Sequence, residues 1–226
     1  MDYDYMQSVN PGYGKPRFSG TEIRDILVSV IVLSLAFTIM YRNNTFVTGF
    51  LRGYGSGAVY AGLFGMSLIL VTISFLFHEF GHKFTAQNLG LWSEYRMYPT
   101  GLALALIMSM FGFLFAAPGA VCISGNMTRE SNGKISIAGP AVNMVFAAIG
   151  LVGCVLFNGS WVVVPFYLLA SLNAFLAVFN LLPIPPLDGS KIITWNKVLW
   201  VVTIALSVAE LILLWTVVSP ELFYRL

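Results

Sequence analysis

Long apolar stretches separated by short polar segments dominate the chain. Five of them approach or exceed the about 20 residues that an α-helix needs to cross a bilayer. They occupy residues 23–40, 58–77, 137–157, 161–182 and 198–218. The second continues as a helix to about Leu89, where Gly90 is a typical stop signal. The pattern predicts a multi-pass α-helical membrane protein with about five transmembrane helices.

Three weaker patterns lie between the second and third spans. Residues 92–99 are mixed and aromatic and predict a short strand. Residues 120–124 and 134–137 flank a polar turn and predict a small β-hairpin. The stretch 101–117 is apolar but short, is interrupted by Gly112 and is followed by Pro118-Gly119. It either crosses the membrane as a short span or re-enters on the same side.

Composition supports a membrane protein and excludes other classes. Of the 226 residues, 58% are hydrophobic and 10% are charged, and the mean hydropathy is +0.81, which argues against a soluble protein. The net charge of +2 is too small to indicate a nucleic-acid partner. Cys122 and Cys154 form no C-x-x-C pair and are interpreted as packing residues.

The second span ends in Phe-His-Glu-Phe-Gly-His, residues 77–82. On a helix, His78 and His82 are one turn apart and share a face, so their neutral imidazoles can hold one zinc ion. Glu79 is then placed to act on a water molecule at that ion. Because polar groups at membrane depth are costly without partners and a task, this motif favours a metal site over two polar residues at a helix end.

A zinc site of this kind needs a third protein ligand. Away from the polar ends and loops, the acidic residues are Glu79, Asp188 and Glu210. Asp188 follows the fourth span and can meet the histidines only if an even number of crossings separates them. That condition requires 101–117 to re-enter rather than cross.

The basic residues test this topology independently. The re-entrant arrangement places nine of the 12 Lys and Arg residues on one side of the membrane, whereas a crossing segment places six on each side. Positive residues favour the cytoplasmic side. We therefore predict a re-entrant segment at 101–117 in a cell-membrane protein whose N terminus and active site face the cytoplasm.

Three motifs together resemble the site-2 protease family of intramembrane zinc metalloproteases. They are the His-Glu-Phe-Gly-His sequence at 78–82, the Gly-Pro-Ala-Val-Asn sequence at 139–143, and Asn180 placed eight residues before Asp188 in a Pro-Pro-Leu-Asp-Gly ending. The resemblance covers about residues 58–190. It implies that His78, His82 and Asp188 are zinc ligands and that Glu79 is the catalytic base.

The resemblance also implies the activity and its partners. The expected enzyme is an intramembrane zinc endopeptidase that cleaves transmembrane segments of other membrane proteins within the lipid bilayer, as in regulated intramembrane proteolysis. We expect neither the PDZ domain nor the nucleotide-binding module of larger members, for which these 226 residues leave no room. We expect a polar leader at 1–22, a single transmembrane protease domain at 23–218 with its core at 58–190, and a short tail at 219–226.

Two further parts of the mechanism have candidates in the sequence. The developing oxyanion needs a hydrogen-bond donor besides the metal, and Asn180 is the first candidate and Asn143 the second. A substrate helix must unwind, and an exposed strand edge at 120–124 or 94–98 could hold it by strand addition. The alternative function is a catalytically silent zinc-binding membrane protein or a transporter of the same fold, although a transporter is expected to show paired broken helices.

Overall fold

The computed structural model describes residues 18–42, 47–48, 55–114 and 118–218. Its helices, in chain order, are α1 (Gly20–Tyr41), α2 (Ser56–Asn88), α3 (Pro99–Ser109), α4 (Arg129–Leu156), α5 (Val163–Asn180), α6 (Asp188–Trp195) and α7 (Lys197–Leu213). α2 contains a π-helical turn at Thr72–Leu76, and a second π-helical turn, Leu214–Val218, follows α7. Two strands, β1 (Trp92–Met97) and β2 (Gly119–Ser124), lie between α2 and α4.

Within the described residues, five helices are long and apolar enough to cross a membrane. They are α1, α2, α4, α5 and the segment Lys197–Thr216, which confirms the five predicted spans. α1 begins at a local signal, because the Ser19 hydroxyl accepts a hydrogen bond from the Glu22 N–H at 3.1 Å. Residues 1–17 of the predicted leader and the predicted tail at 219–226 lie outside the described residues.

The small sheet is present, but its strands pair differently from the predicted hairpin. β1 and β2 are antiparallel, with Tyr95 opposite Val121. Residues 134–137, predicted as the second strand of a hairpin, belong instead to α4. α4 starts at a capping box in which Thr128 Oγ1 accepts the Ser131 N–H at 3.1 Å and Ser131 Oγ accepts the Thr128 N–H at 2.8 Å. The strand prediction was wrong because serine at this capping position is a weaker sequence signal than glutamate or glutamine.

The apolar segment after β1 leaves the sheet and returns to it. α3 has 11 residues, which corresponds to about 16 Å of helix, whereas the hydrocarbon core is about 30 Å thick. The N–H of Tyr98, just before α3, donates to the carbonyl of Pro118, just before β2, at 2.8 Å. The segment therefore begins and ends at the same place, as the re-entrant prediction for 101–117 requires.

α4 lies at the centre of the bundle, between α2 and α5. It approaches α5 so closely that a Cβ at Gly150 would lie 2.6 Å from the backbone nitrogen of Ala170. α4 and α5 are the two crossings between α2 and α6. The end of α2 and the start of α6 consequently lie on the same side of the bundle.

Side chains from α1 and α2 cover the outer edge of β1. Glu22 Oε1 accepts the Tyr95 N–H at 2.9 Å and forms an ion pair with Lys83 Nζ at 2.8 Å. Lys83 Nζ also donates to the carbonyl of Ser93 at 3.0 Å. Both charged side chains are fully buried. Because these bonds use outward-facing backbone groups of β1, this edge is closed to a further strand.

Glu22→Gln should destabilise the protein, because it removes a negative charge that lies 2.8 Å from the buried Lys83 ammonium. The expected loss is about 3–5 kcal/mol, measured as a fall in melting temperature in detergent. Glu130→Gln breaks an exposed ion pair with Lys134 and is the control that should leave the melting temperature unchanged. Equal melting temperatures for wild type and Glu22→Gln would contradict the role given to this ion pair.

Candidate metal centre and active site

Two histidines near the end of α2 meet a carboxylate from a distant part of the chain. His78 and His82 follow the π-helical turn and have exposed fractions of 6% and 8%, and Asp188, the first residue of α6, is 7% exposed. The two Nε2 atoms are 3.0 Å apart. Asp188 Oδ2 lies 3.1 Å from His82 Nε2 and 3.6 Å from His78 Nε2. The structure thus brings together the three predicted ligands in a group that could hold a metal ion.

The other nitrogen of each ring is held by α4. His82 Nδ1 lies 2.8 Å from the carbonyl oxygen of Ile135, which can only accept a hydrogen bond. His78 Nδ1 lies 2.5 Å from Asn143 Oδ1, also an acceptor. Both neutral imidazoles therefore carry their proton on Nδ1 and keep a lone pair on Nε2. Two lone pairs that face each other in this way favour a cation between them.

The spacing and the donor set fit a zinc ion. At zinc–ligand distances of about 2.0–2.2 Å, tetrahedrally arranged ligand atoms lie about 3.3–3.6 Å from one another. The separations of 3.0, 3.1 and 3.6 Å are close to that range. A Cβ at Gly139 would fall against Nε2 of both His78 and His82, so the glycine keeps this space open. Two imidazoles and one carboxylate also leave the open fourth position that catalytic zinc sites use.

The turn before α6 positions the Asp188 carboxylate. Gly189 packs against the carbonyl of Leu181 at the end of α5, where a Cβ would clash. Lys191 Nζ is 3.4 Å from Asp188 Oδ1, which leaves Oδ2 facing the histidines. A metal ion binds the Asp188 side chain in its ionised, carboxylate form.

Glu79 is buried beside this group. Its carboxylate lies close enough to the backbone N–H of Val121 on β2 to interact with it. This contact places the outer edge of β2 at the site. A carboxylate next to the metal position is suited to accept a proton from water and to return it to a leaving group.

The two predicted oxyanion donors occupy different positions. Asn143 is fully buried beside His78, and its Nδ2 donates to the Ser74 carbonyl and to Asn173 Oδ1, both at 2.8 Å. Asn180 is partly buried at the end of α5, and its Nδ2 donates at 3.0 Å to a carbonyl one turn earlier in the same helix. The structure therefore brings Asn143, and not Asn180, into contact with the proposed ligands.

Sequence reasoning missed three groups that contact the site or its supports. Ser74 precedes His78 by four residues and Asn173 precedes Asn180 by seven, so each shares a helix face with a residue that was predicted. That spacing was an available signal. The Ile135 carbonyl, by contrast, is a backbone atom and leaves no trace in the sequence.

Comparison with known proteins agrees with this geometry. The profile of Peptidase family M50 matches residues 156–207, which include Asp188. "Putative zinc metalloprotease MJ0611" of Methanocaldococcus jannaschii is 39% identical over 193 residues, 82% of this chain and 90% of that protein. "Putative zinc metalloprotease YwhC" of Bacillus subtilis is 31% identical over 150 residues, 56% of this chain and 66% of that protein. No solved structure matches the chain.

The apolar helices, the metal-binding group and these relatives define a membrane-bound, zinc-dependent metalloprotease. The chain belongs to Peptidase family M50, the site-2 protease family. The predicted family, enzyme class, zinc cofactor and integral membrane character are confirmed.

Gly139→Ala should abolish zinc binding, because the added methyl group would occupy the space between the two Nε2 atoms. The measurement is zinc content per purified protein, together with the melting temperature to show that the variant is folded. Gly65→Ala is the matched control, since a Cβ there meets nothing within 4 Å. Full zinc content in folded Gly139→Ala would contradict the position assigned to the ion.

Proposed function

We propose that this metalloprotease is an intramembrane endopeptidase that hydrolyses peptide bonds in transmembrane segments of other membrane proteins, as in regulated intramembrane proteolysis. The observation that carries the proposal is the burial of His78, Glu79, His82 and Asp188 among membrane-spanning helices, beside the outer edge of a strand. A peptide that enters this site has to come from within or next to the bilayer. Residues 23–218 act as one protease domain, since Ser29 of α1 accepts a hydrogen bond from the Tyr95 hydroxyl of β1 at 2.9 Å.

The roles of the side chains follow from their chemistry. His78, His82 and Asp188 hold the metal ion and leave one position open. When bound, zinc supplies a Lewis acid that polarises the peptide carbonyl and lowers the pKa of a water molecule toward about 7. Glu79 accepts the proton of the attacking water and returns it to the leaving amine.

Asn180 is the proposed donor to the oxyanion. Both N–H groups of Asn143 are used by Ser74 and Asn173, so that amide has no donor left for a substrate. Asn180 uses one N–H within its own helix, and the other is available to a peptide carbonyl. This reasoning supports the order of the two candidates and assigns Asn143 a positioning role.

The structure favours one strand edge for the substrate. Of the two edges considered, that of β1 is covered by Glu22 and Lys83. Tyr95 and Val121 are directly opposite each other, and the Tyr95 N–H points away from β2 to Glu22. The Val121 N–H therefore points away from β1 in the same way, toward Glu79. The outer groups of β2 therefore face Glu79. We propose that an unwound substrate adds to β2 as a strand, which supplies partners for its freed backbone groups.

We propose that the N terminus and the active site face the cytoplasm. Support comes from the nine Lys and Arg residues that the re-entrant topology collects on that side. The hydrogen bond between Tyr98 and Pro118 supports the topology on which this count depends.

Glu79→Gln should reduce cleavage of a purified membrane-spanning substrate by at least about 10²–10⁴-fold, the typical contribution of a general base. Zinc content should stay at the wild-type level, because Glu79 is outside the ligand group. Zinc bound by both proteins without Glu79-dependent cleavage would favour the catalytically silent alternative.

Replacing Val121 and Ile123 together with proline should abolish cleavage and leave zinc bound, because proline removes the outward-facing N–H groups of β2. The matched control replaces the same two residues with alanine, which trims the side chains and keeps the N–H groups. Substrate cleavage and zinc content are measured for both. Cleavage by the proline variant, or its loss in the alanine variant, contradicts backbone pairing at this edge.

A further inference from the structure

We propose that Asn173 is a positioning residue for the metal centre, which acts through Asn143 to fix the tautomer and orientation of His78. The inference deepens the proposed function and rests on it, because it takes His78 as a metal ligand. Neither the family resemblance nor the motif spacing assigned Asn173 any role.

The proposal stands on a buried network that joins three membrane-spanning helices. Ser74 in the π-helical turn of α2, Asn143 in α4 and Asn173 in α5 are all 0% exposed. Asn173 Nδ2 donates to Ser74 Oγ at 2.8 Å, and Asn143 Nδ2 donates to the Ser74 carbonyl at 2.8 Å. Asn143 Nδ2 also donates to Asn173 Oδ1 at 2.8 Å. Each pair of the three residues is therefore directly bonded.

Backbone carbonyls determine which way each amide points. Asn173 Nδ2 bonds to the Leu169 carbonyl at 2.9 Å, and a carbonyl can only accept, so Asn173 Oδ1 faces Asn143. Asn143 Nδ2 bonds to the Ser74 carbonyl in the same way, so Asn143 Oδ1 faces His78. The direction of every bond in this chain follows from these two carbonyls.

The chain ends at the ligand atom. An acceptor at Asn143 Oδ1 requires a proton on His78 Nδ1, which leaves the lone pair of Nε2 at the metal position. A flipped Asn143 amide would instead present N–H to Nδ1 and select the tautomer with a proton on Nε2. That tautomer cannot bind the metal. Asn173 opposes the flip, because its Oδ1 is one of the two acceptors that hold the Asn143 N–H groups.

The test is the zinc affinity of the full chain in detergent, measured by competition with a chelator. Asn173→Leu should lower the affinity about 10- to 100-fold, the usual cost of losing a partner behind a ligating histidine. Asn173→Asp keeps the shape of the side chain and an acceptor oxygen for Asn143. Its zinc affinity should therefore stay within a few-fold of wild type. In the Asn143→Leu background, Asn173→Leu should cause no further loss, because its effect passes through Asn143.

The control separates positioning from helix packing. Gly150→Ala crowds the same contact between α4 and α5 without touching the network, and should lower the melting temperature with wild-type zinc affinity. The proposal is overturned if Asn173→Leu lowers the melting temperature and leaves zinc affinity at the wild-type value, as Gly150→Ala should. It is also overturned if Asn173→Leu weakens zinc binding equally in the wild-type and the Asn143→Leu backgrounds. The zinc content of His78→Ala is measured in the same experiment. Loss of zinc is expected there, whereas an unchanged zinc content would overturn the proposed ligand set and not only the role of Asn173.

Discussion

Two imidazole Nε2 atoms face each other 3.0 Å apart, with a carboxylate oxygen at 3.1 Å from one of them. In a buried site this arrangement is unfavourable until a cation lies at its centre, because lone pairs and a negative charge would otherwise repel one another. The rest of the fold serves that constraint. The end of α2 and the start of α6 must lie on the same side, so an even number of crossings has to separate them along the chain. α4 and α5 are those two crossings. α4 must pass close to the ligands, which requires glycine at position 139.

Polar groups inside an apolar bundle need partners, and those partners define where the protein can act. Glu22 and Lys83 satisfy each other and the outer edge of β1. Ser74 and Asn173 satisfy the N–H groups of Asn143. The outer edge of β2 is different, because the contact at Val121 is with the carboxylate of Glu79. Backbone groups beside a proton-accepting residue are suited to a peptide substrate, whereas covered edges are not.

The sequence predicted contacts between residues that are close along the chain better than contacts between residues that are far apart along it. The pairing of His78 with His82 is local, since an i, i+4 spacing on a helix places two side chains on one face. Asp188 is 106 positions beyond His82 and was selected from the few acidic residues away from the polar ends and loops. Its meeting with the histidines depended on the re-entrant topology, which the distribution of lysine and arginine supported. The partners of Asn143 are 30, 65 and 69 residues away. Hydrogen bonds at that range follow from packing, so the sequence left Asn143 as a second-choice oxyanion donor.

The sequence by itself determined the membrane spans and the histidine motif, because hydropathy and helical periodicity are properties of neighbouring residues. It also predicted the re-entrant segment through the positive charges of the connecting segments. Tertiary structure decided that β2 pairs with Trp92–Met97 rather than with 134–137, and which edge of the sheet stays open. It also decided which nitrogen of each imidazole faces the metal position. Those outcomes depend on backbone and amide groups brought together from different helices, and no residue pattern along one segment records them.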